Sequence, residues 1–257
     1  MALKESLDKY YELEDRKVGR LEGRLFNKSN LSEILQEQLI NTSLSTLQPF
    51  NLSTAMMTQD EVLLALRETG ALLSGHFELR SGLHSPEFFQ CANLLRYPRR
   101  AEKLCAALAA LVPAGAAAEA KTVVSPALGG ILVGHEVARA LDKKCIFAEK
   151  VPGQGVDATG KPNTVLALRR FKIAKGERYV VAEDVITKGG RVQETIDLVK
   201  AAGGKVAAVI VLVDRSSGKV KFGRTPVFSL VQMTPSTWTA AECPMCKAGG
   251  HPVHPGS

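Results

Sequence analysis

Tyr179-Val-Val-Ala-Glu-Asp-Val-Ile-Thr-Lys-Gly-Gly-Arg191, running on into Val-Gln-Glu-Thr-Ile-Asp197, packs a strand, a turn and a helix start into one short stretch. The apolar run reads as a buried strand that ends on two adjacent carboxylates, Glu183 and Asp184. A Thr/Gly-rich turn follows, Thr187 to Gly190, and an amphipathic helix begins after it. Backbone N–H groups at such a turn, with the positive end of the helix dipole, form an anion site suited to phosphate. The carboxylates just upstream repel a phosphate, so their partners are sugar hydroxyls or a magnesium shell. The stretch therefore implies a sugar phosphate as ligand, with ribose 5-phosphate the best fit.

The remainder of the chain sets the frame. Its 257 residues suffice for one substantial α/β core. No apolar run reaches membrane-spanning length and no cleavable secretory signal is evident, which makes a soluble cytoplasmic protein the expectation. The net charge of +7 suits a polyanionic partner. Lys/Arg blocks interleaved with aromatics are missing, which favours small phosphorylated substrates over nucleic acid. Cys91, Cys105, Cys145, Cys243 and Cys246 do not follow a secreted disulfide pattern. Cys243-Pro-Met-Cys246, with His251 and His254 close behind, offers two thiols and two imidazoles to zinc, although the spacing between the pairs is short for a structural finger. A reduced C-terminal tail is the alternative.

Two regions are distinguished by pattern, an N-terminal extension with linker over 1–55 and a main domain over 56–257. Met1 to Leu39 is charged and helix-prone, and Asn41 to Ala55 is polar and rich in Ser, Thr and Asn. A helix is expected from Gln59 to Gly70, then short strands at Phe77–Arg80 and Phe88–Cys91 around a turn at Gly82. Further on, helices at Arg99–Leu111, Gly130–Leu141 and Arg191–Ala202 alternate with strands at Thr122–Ser125, Cys145–Glu149, Val165–Leu168, Arg178–Glu183, Val206–Val213 and Val227–Val231. The alternation predicts an α/β fold, a mainly parallel doubly wound sheet with ligands at the strand C-terminal ends.

Three further loops fall at those ends. Ser125-Pro-Ala-Leu-Gly-Gly130 opens a helix with glycines that let backbone N–H groups approach an anion, although tight packing explains such a start equally well. Val213-Asp-Arg-Ser-Ser-Gly218 offers Arg215 as a bidentate partner for a carboxylate or imide edge; a surface Asp–Arg pair is the plainer reading. Phe77-Glu-Leu-Arg-Ser-Gly-Leu-His-Ser-Pro-Glu-Phe-Phe89 joins a basic residue to two aromatics able to cover a flat base, or forms a hydrophobic hairpin.

Taken in order, the four segments resemble the orotate phosphoribosyltransferase family over about Gly70 to Ser257. Glu-Asp-Val-Ile-Thr is the diphosphoribosyl-substrate motif of type I phosphoribosyltransferases. The Phe77–Phe89 segment, Pro-Ala-Leu-Gly-Gly and Asp214-Arg215 narrow the likeness to the orotate branch. The tail from Glu242 is similar to that of one bacterial subgroup. The resemblance implies a type I phosphoribosyltransferase sheet with a small hood subdomain, a homodimer, Mg2+ as cofactor, and transfer of ribose 5-phosphate from 5-phosphoribosyl 1-diphosphate to orotate. It assigns Asp184, Glu183 and Lys150 to catalysis. Arg80, Lys150, Glu183, Asp184, Val185, Ile186, Thr187, Lys188, Gly189, Gly190 and Arg191 would bind the diphosphate donor, and Phe88, Phe89, Thr187 and Arg215 would bind orotate. The loop from Val151 to Pro162 is the expected lid.

The chain departs from that pattern where Thr187-Lys-Gly-Gly-Arg191 stands in place of Thr-Thr-Gly-Gly-Ser, and where the lid keeps Lys150 without the usual later lysine and histidine. Two other readings share the phosphate motif: a transferase acting on another base, and a non-catalytic sensor of phosphoribosyl diphosphate.

Overall fold

Ten consecutive residues of one strand decide the architecture, because all but the first three are fully shielded from solvent on both faces. The strand is β7, Lys205–Asp214, and such a two-sided apolar run is stable only between parallel neighbours under helices on each face. The computed structural model describes residues 57–156, 160 and 162–255. The expected N-terminal extension, residues 1–55, lies outside the described residues, as do 157–159 and 161 within the expected lid.

In chain order the elements are α1 (Gln59–Glu68), β1 (Leu72–Glu78), β2 (His84–Phe89), α2 (Ala92–Leu95), α3 (Pro98–Ala109), α4 (Ala114–Glu119), β3 (Ala120–Pro126), α5 (Gly129–Leu141), β4 (Lys144–Val156), β5 (Pro162–Ala167), β6 (Arg178–Ile186), α6 (Gly190–Ala201), β7, β8 (Val227–Gln232) and α7 (Pro244–Lys247). Helix α1 starts on a capping box, in which the Thr58 hydroxyl accepts from Glu61 N–H and the Glu61 carboxylate accepts from Thr58 N–H. The main sheet has six strands in the order β5-β4-β3-β6-β7-β8. All neighbours run parallel except β4 and β5, which pair antiparallel. Chain order reverses direction between β3 and β6, and this switch point opens a crevice at the C-terminal ends of both strands.

Side-chain alternation along the strands builds two cores. Val180 and Ala182 of β6 and Ala208, Ile210 and Leu212 of β7 pack with α1, α3 and α5 through Leu66, Leu104, Leu108, Val133 and Val137. Tyr179 and Val181 of β6 and Val209 and Val211 of β7 face the other way, against Val192, Ile196 and Val199 of α6 and Phe222. A second, two-stranded sheet is formed by β1 and β2. The C-terminal tail joins it through bridges from Trp238 to His84 and from Val253 to Phe77. This is the hood the sequence implied. Among the described residues no helix is long and apolar enough to cross a membrane.

Several boundaries differ from expectation for identifiable reasons. β1 begins at Leu72, not Phe77, because Leu72 pairs with Phe89 and both are buried. β2 correspondingly runs from His84 to Phe89 and stops short of Cys91. β6 continues past the two carboxylates to Ile186, since Val185 and Ile186 still pair with Val213 and Asp214. The stretch after Glu149 is not a plain loop: β4 extends to Val156 and pairs with β5, so the expected lid is a β-ribbon at the sheet edge. Helices α2, α4 and α7 escaped the sequence reading because four to six residues cannot show a helical period.

Ile210 is fully buried in the central strand. Its replacement by Ala is expected to cost about 2–5 kcal/mol, measured as a lower urea midpoint with an unchanged m-value.

Candidate active site

The switch-point crevice is a cavity of about 1390 Å3. Its floor comes from the ends of β3 and β6, one wall from the turn into α6, and another from the β1–β2 hairpin and the tail. Of the residues singled out from sequence, Arg80, Phe88, Lys150, Arg215 and the whole run Glu183 to Arg191 line it. Phe89 does not. It is buried in the core beneath Arg215, whose guanidinium carbon lies 5.7 Å from the centre of its ring.

Glu183 and Asp184 occupy the floor side by side. Glu183 Oε1 accepts the Asp184 N–H at 3.0 Å, and Asp184 Oδ1 accepts the Val185 N–H at 2.7 Å. Burial, then the negative charge of Asp184, pushes the Glu183 carboxyl well above its ordinary range, with Lys150 pulling weakly the other way. Burial also raises Asp184. The Gly-Gly start of α5 explains how this pair is accommodated. A Cβ on Gly129 would lie 2.5 Å from Asp184 Oδ2, and one on Gly130 would lie 3.0 Å from Glu183 Oε1. These glycines, expected to admit an anionic ligand, admit the protein's own carboxylates and bring the positive end of the α5 dipole against them.

The phosphate turn depends on another glycine. Gly189 has φ +76°, and a Cβ there would meet Val220 at 2.6 Å and Phe222 at 3.0 Å. Backbone conformation and packing both demand glycine here. The N–H groups of the first turn of α6 have no intrahelical acceptors, and that turn carries no acidic residue. Thr187 and Lys188 are exposed at the cavity edge. Arg191 also lines the cavity, where protein partners already engage its side chain. It pairs with Glu194 at 2.7 Å and donates to Thr164 Oγ1 at 2.9 Å, while Glu194 accepts the Leu166 N–H. Its long side chain thus ties β5 to α6.

On the opposite side, Asp214 organises the loop that presents Arg215. Its carboxylate accepts from Ser216 N–H at 2.8 Å, Ser216 Oγ at 2.6 Å and Gly218 N–H at 2.9 Å. Arg215 Nε is buried without a hydrogen-bond partner, and Arg215 and Phe88 both line the cavity. The sequence reading missed the tail residues Thr234, Pro235, Thr237, His254 and Pro255, which close this side. Their only sequence signal was proximity to the Cys-Pro-Met-Cys segment. His251 and His254 do not join its thiols: His251 is exposed, and His254 pairs with Glu78 at 3.1 Å.

A doubly wound sheet with an anion-binding helix start at its switch point, and paired carboxylates on the adjoining strand, defines a transferase of activated ribose phosphates. A family model described as phosphoribosyl transferase domain matches residues 92–240. The chain is 45% identical over 202 residues to an orotate phosphoribosyltransferase of Acidithiobacillus ferrooxidans, covering 78% of this chain and 98% of that protein. Against the protein of the same name from Heliobacterium modesticaldum it is 46% identical over 202 residues, covering 78% and 99%. A crystal structure of orotate phosphoribosyltransferase from Aeropyrum pernix superposes with a TM-score of 0.52 at 25% identity, covering 66% of this chain and 93% of that one. The chain belongs to the orotate phosphoribosyltransferase family.

Because the Glu183 carboxyl is raised in the folded chain, the unfolded chain ionises first as pH rises, and the folded state loses stability from about pH 4.5 upward. Glu183→Gln is therefore expected to raise the melting temperature of the ligand-free protein at about pH 8, with the gain shrinking as the pH falls toward 4.5. Differential scanning calorimetry across that range checks the sign.

Proposed function

We propose that this chain transfers ribose 5-phosphate from 5-phosphoribosyl 1-diphosphate to orotate, giving orotidine 5′-monophosphate and pyrophosphate in pyrimidine synthesis. The observation that carries the choice of base is Arg215, its Nε buried and unpartnered, which shares the cavity lining with Phe88. A flat pyrimidine carboxylate supplies both a face for the aromatic ring and an anionic acceptor for the guanidinium. The relatives' names support the same choice.

In this reading the 5′-phosphate sits on the turn Thr187 to Arg191, held by backbone N–H groups and the α6 dipole, with Lys188 adding charge from the rim. Val185 and Ile186 form the backbone leading into that turn. Glu183 and Asp184 face the ribose hydroxyls. The bond that breaks joins the anomeric carbon to pyrophosphate, and the bond that forms joins that carbon to N1 of the base, which loses its proton. Positive charge grows on the ribose ring as the leaving group departs, as in glycoside chemistry. The two carboxylates, fixed before reaction, offset that charge. Arg80 and Lys150 face the departing diphosphate and stabilise its negative charge. The β4–β5 ribbon carrying Lys150 is the element that shields the activated sugar from water.

Adjacent hard oxygen donors that repel one another in the free chain suit a divalent cation of the magnesium type. Glu183 and Asp184 would hold it, directly or through water, and it would supply positive charge to the diphosphate. A homodimer and a cytoplasmic setting belong to the same proposal. Leu128 and Leu132, 82% and 50% exposed near the cavity, provide apolar surface for a second copy.

Loss of orotate absorbance with magnesium and the diphosphate donor tests the reaction. Turnover of adenine in its place, or donor binding without turnover, overturns the proposal in favour of another base or a sensor. Asp184→Asn is expected to lower kcat by more than about tenfold, and unchanged kinetics remove Asp184 from its role. Arg215→Gln is expected to raise KM for orotate by about tenfold or more while leaving KM for the donor little changed.

A further inference from the structure

Four ligating atoms converge away from the reaction cavity, where the tail crosses the hood. They belong to His76 of β1, His84 of β2, and Cys243 and Cys246 at the start of α7, and all lie within 4.8 Å of one another. His76 Nε2 stands 2.9 Å from His84 Nδ1, 3.4 Å from Cys243 Sγ and 3.6 Å from Cys246 Sγ, and Cys246 Sγ is 3.3 Å from His84 Nδ1. One imidazole nitrogen offers either a single proton or a single lone pair, so hydrogen bonding cannot satisfy three such neighbours. A single ion at their centre satisfies all four. Tetrahedral zinc with its usual bond lengths sets its ligand atoms about 3.3–3.8 Å apart; the three nitrogen–sulfur distances here fall in that range, and the two imidazole nitrogens, at 2.9 Å, would have to part slightly.

We propose that His76, His84, Cys243 and Cys246 bind one Zn2+ as a closed structural site. Two thiolates and two imidazoles form a soft tetrahedral set that selects zinc over magnesium. Four protein ligands leave no open position for chemistry, so the role is mechanical. The backbone already holds the ligands in place. His84 exchanges both backbone hydrogen bonds with Trp238, at 2.8 and 3.0 Å, and His76 O accepts the Val253 N–H at 2.8 Å. The tail is thus bridged to the hairpin on either side of the Cys-x-x-Cys turn, and the metal supplies the side-chain link between them. Cys243 and His84 are buried, which protects the link from exchange. What the metal secures is the wall of the cavity, since the hairpin brings Arg80 and Phe88 while the tail brings Thr237 and His254.

The test uses the untagged full-length chain, purified without chelator after growth with added zinc. Elemental analysis is expected to find about one zinc per chain. Cobalt replacing it is expected to give the d–d bands of a tetrahedral site and a thiolate charge-transfer band. Cys243→Ser with Cys246→Ser is expected to lose the metal, whereas His251→Ala retains it. The wild-type measurements stand by themselves if the double variant does not fold. Metal-free wild-type protein, a Cys243–Cys246 disulfide in it, an octahedral cobalt spectrum, or zinc retained after loss of both cysteines overturns the proposal.

Discussion

Two carboxylates that repel each other, Glu183 and Asp184, are held together at the buried end of β6, and much of the surrounding structure can be understood as accommodating them. Burial alone disfavours each charge, and adjacency disfavours the pair. The fold offsets this with the N-terminal end of α5, brought close by Gly129 and Gly130, where a side chain on either residue would collide with the carboxylates. It also aims two backbone N–H groups at them. What remains is a site whose paired acidic groups favour a cation. A ground state held at some cost and relieved by the transition state is what a catalytic floor requires.

The sheet topology places that floor. The reversal of strand order between β3 and β6 splays the two following loops apart, and the crevice between them receives the ligand. One side of the crevice is formed by the start of α6, and the other by the carboxylate pair against the start of α5. Arg191 shows how the scaffold absorbs an unusual residue at such a place. Its guanidinium pairs with Glu194 and Thr164 at the cavity lining, a tie between the β4–β5 ribbon and α6.

The hood depends on a different physics. A two-stranded hairpin has little core of its own, and β1–β2 is stabilised by docking of the tail across it. Backbone bridges from Trp238 and Val253 and the contact of His254 Nε2 with Glu78 Oε2 all act in this way. The cluster of two histidines and two cysteines lies at the centre of this seam. Small units without enough buried area are commonly held by such ligands.

Much of the protein was legible from the chain alone. Apolar runs separated by amphipathic helices imply a parallel doubly wound sheet, since only that arrangement buries a strand such as Lys205–Asp214 on both faces. The cavity positions of Glu183, Asp184, the glycine turn and Arg215 were readable because each lies at the C-terminal end of a strand, a place written in consecutive residues. Tertiary structure alone decided the rest. Phe89 is core and Phe88 is cavity wall because strand alternation points neighbours in opposite directions once the register with β1 is set. Arg191 pairs locally with Glu194 within α6, but it reached Thr164 only when β5 was laid beside that helix. The cysteines of the tail met His76 and His84, more than 150 residues upstream, in place of the histidines next to them in sequence. Spacing along a chain reports which groups can meet locally, while partners brought from distant strands depend on register and docking, which one sequence does not display.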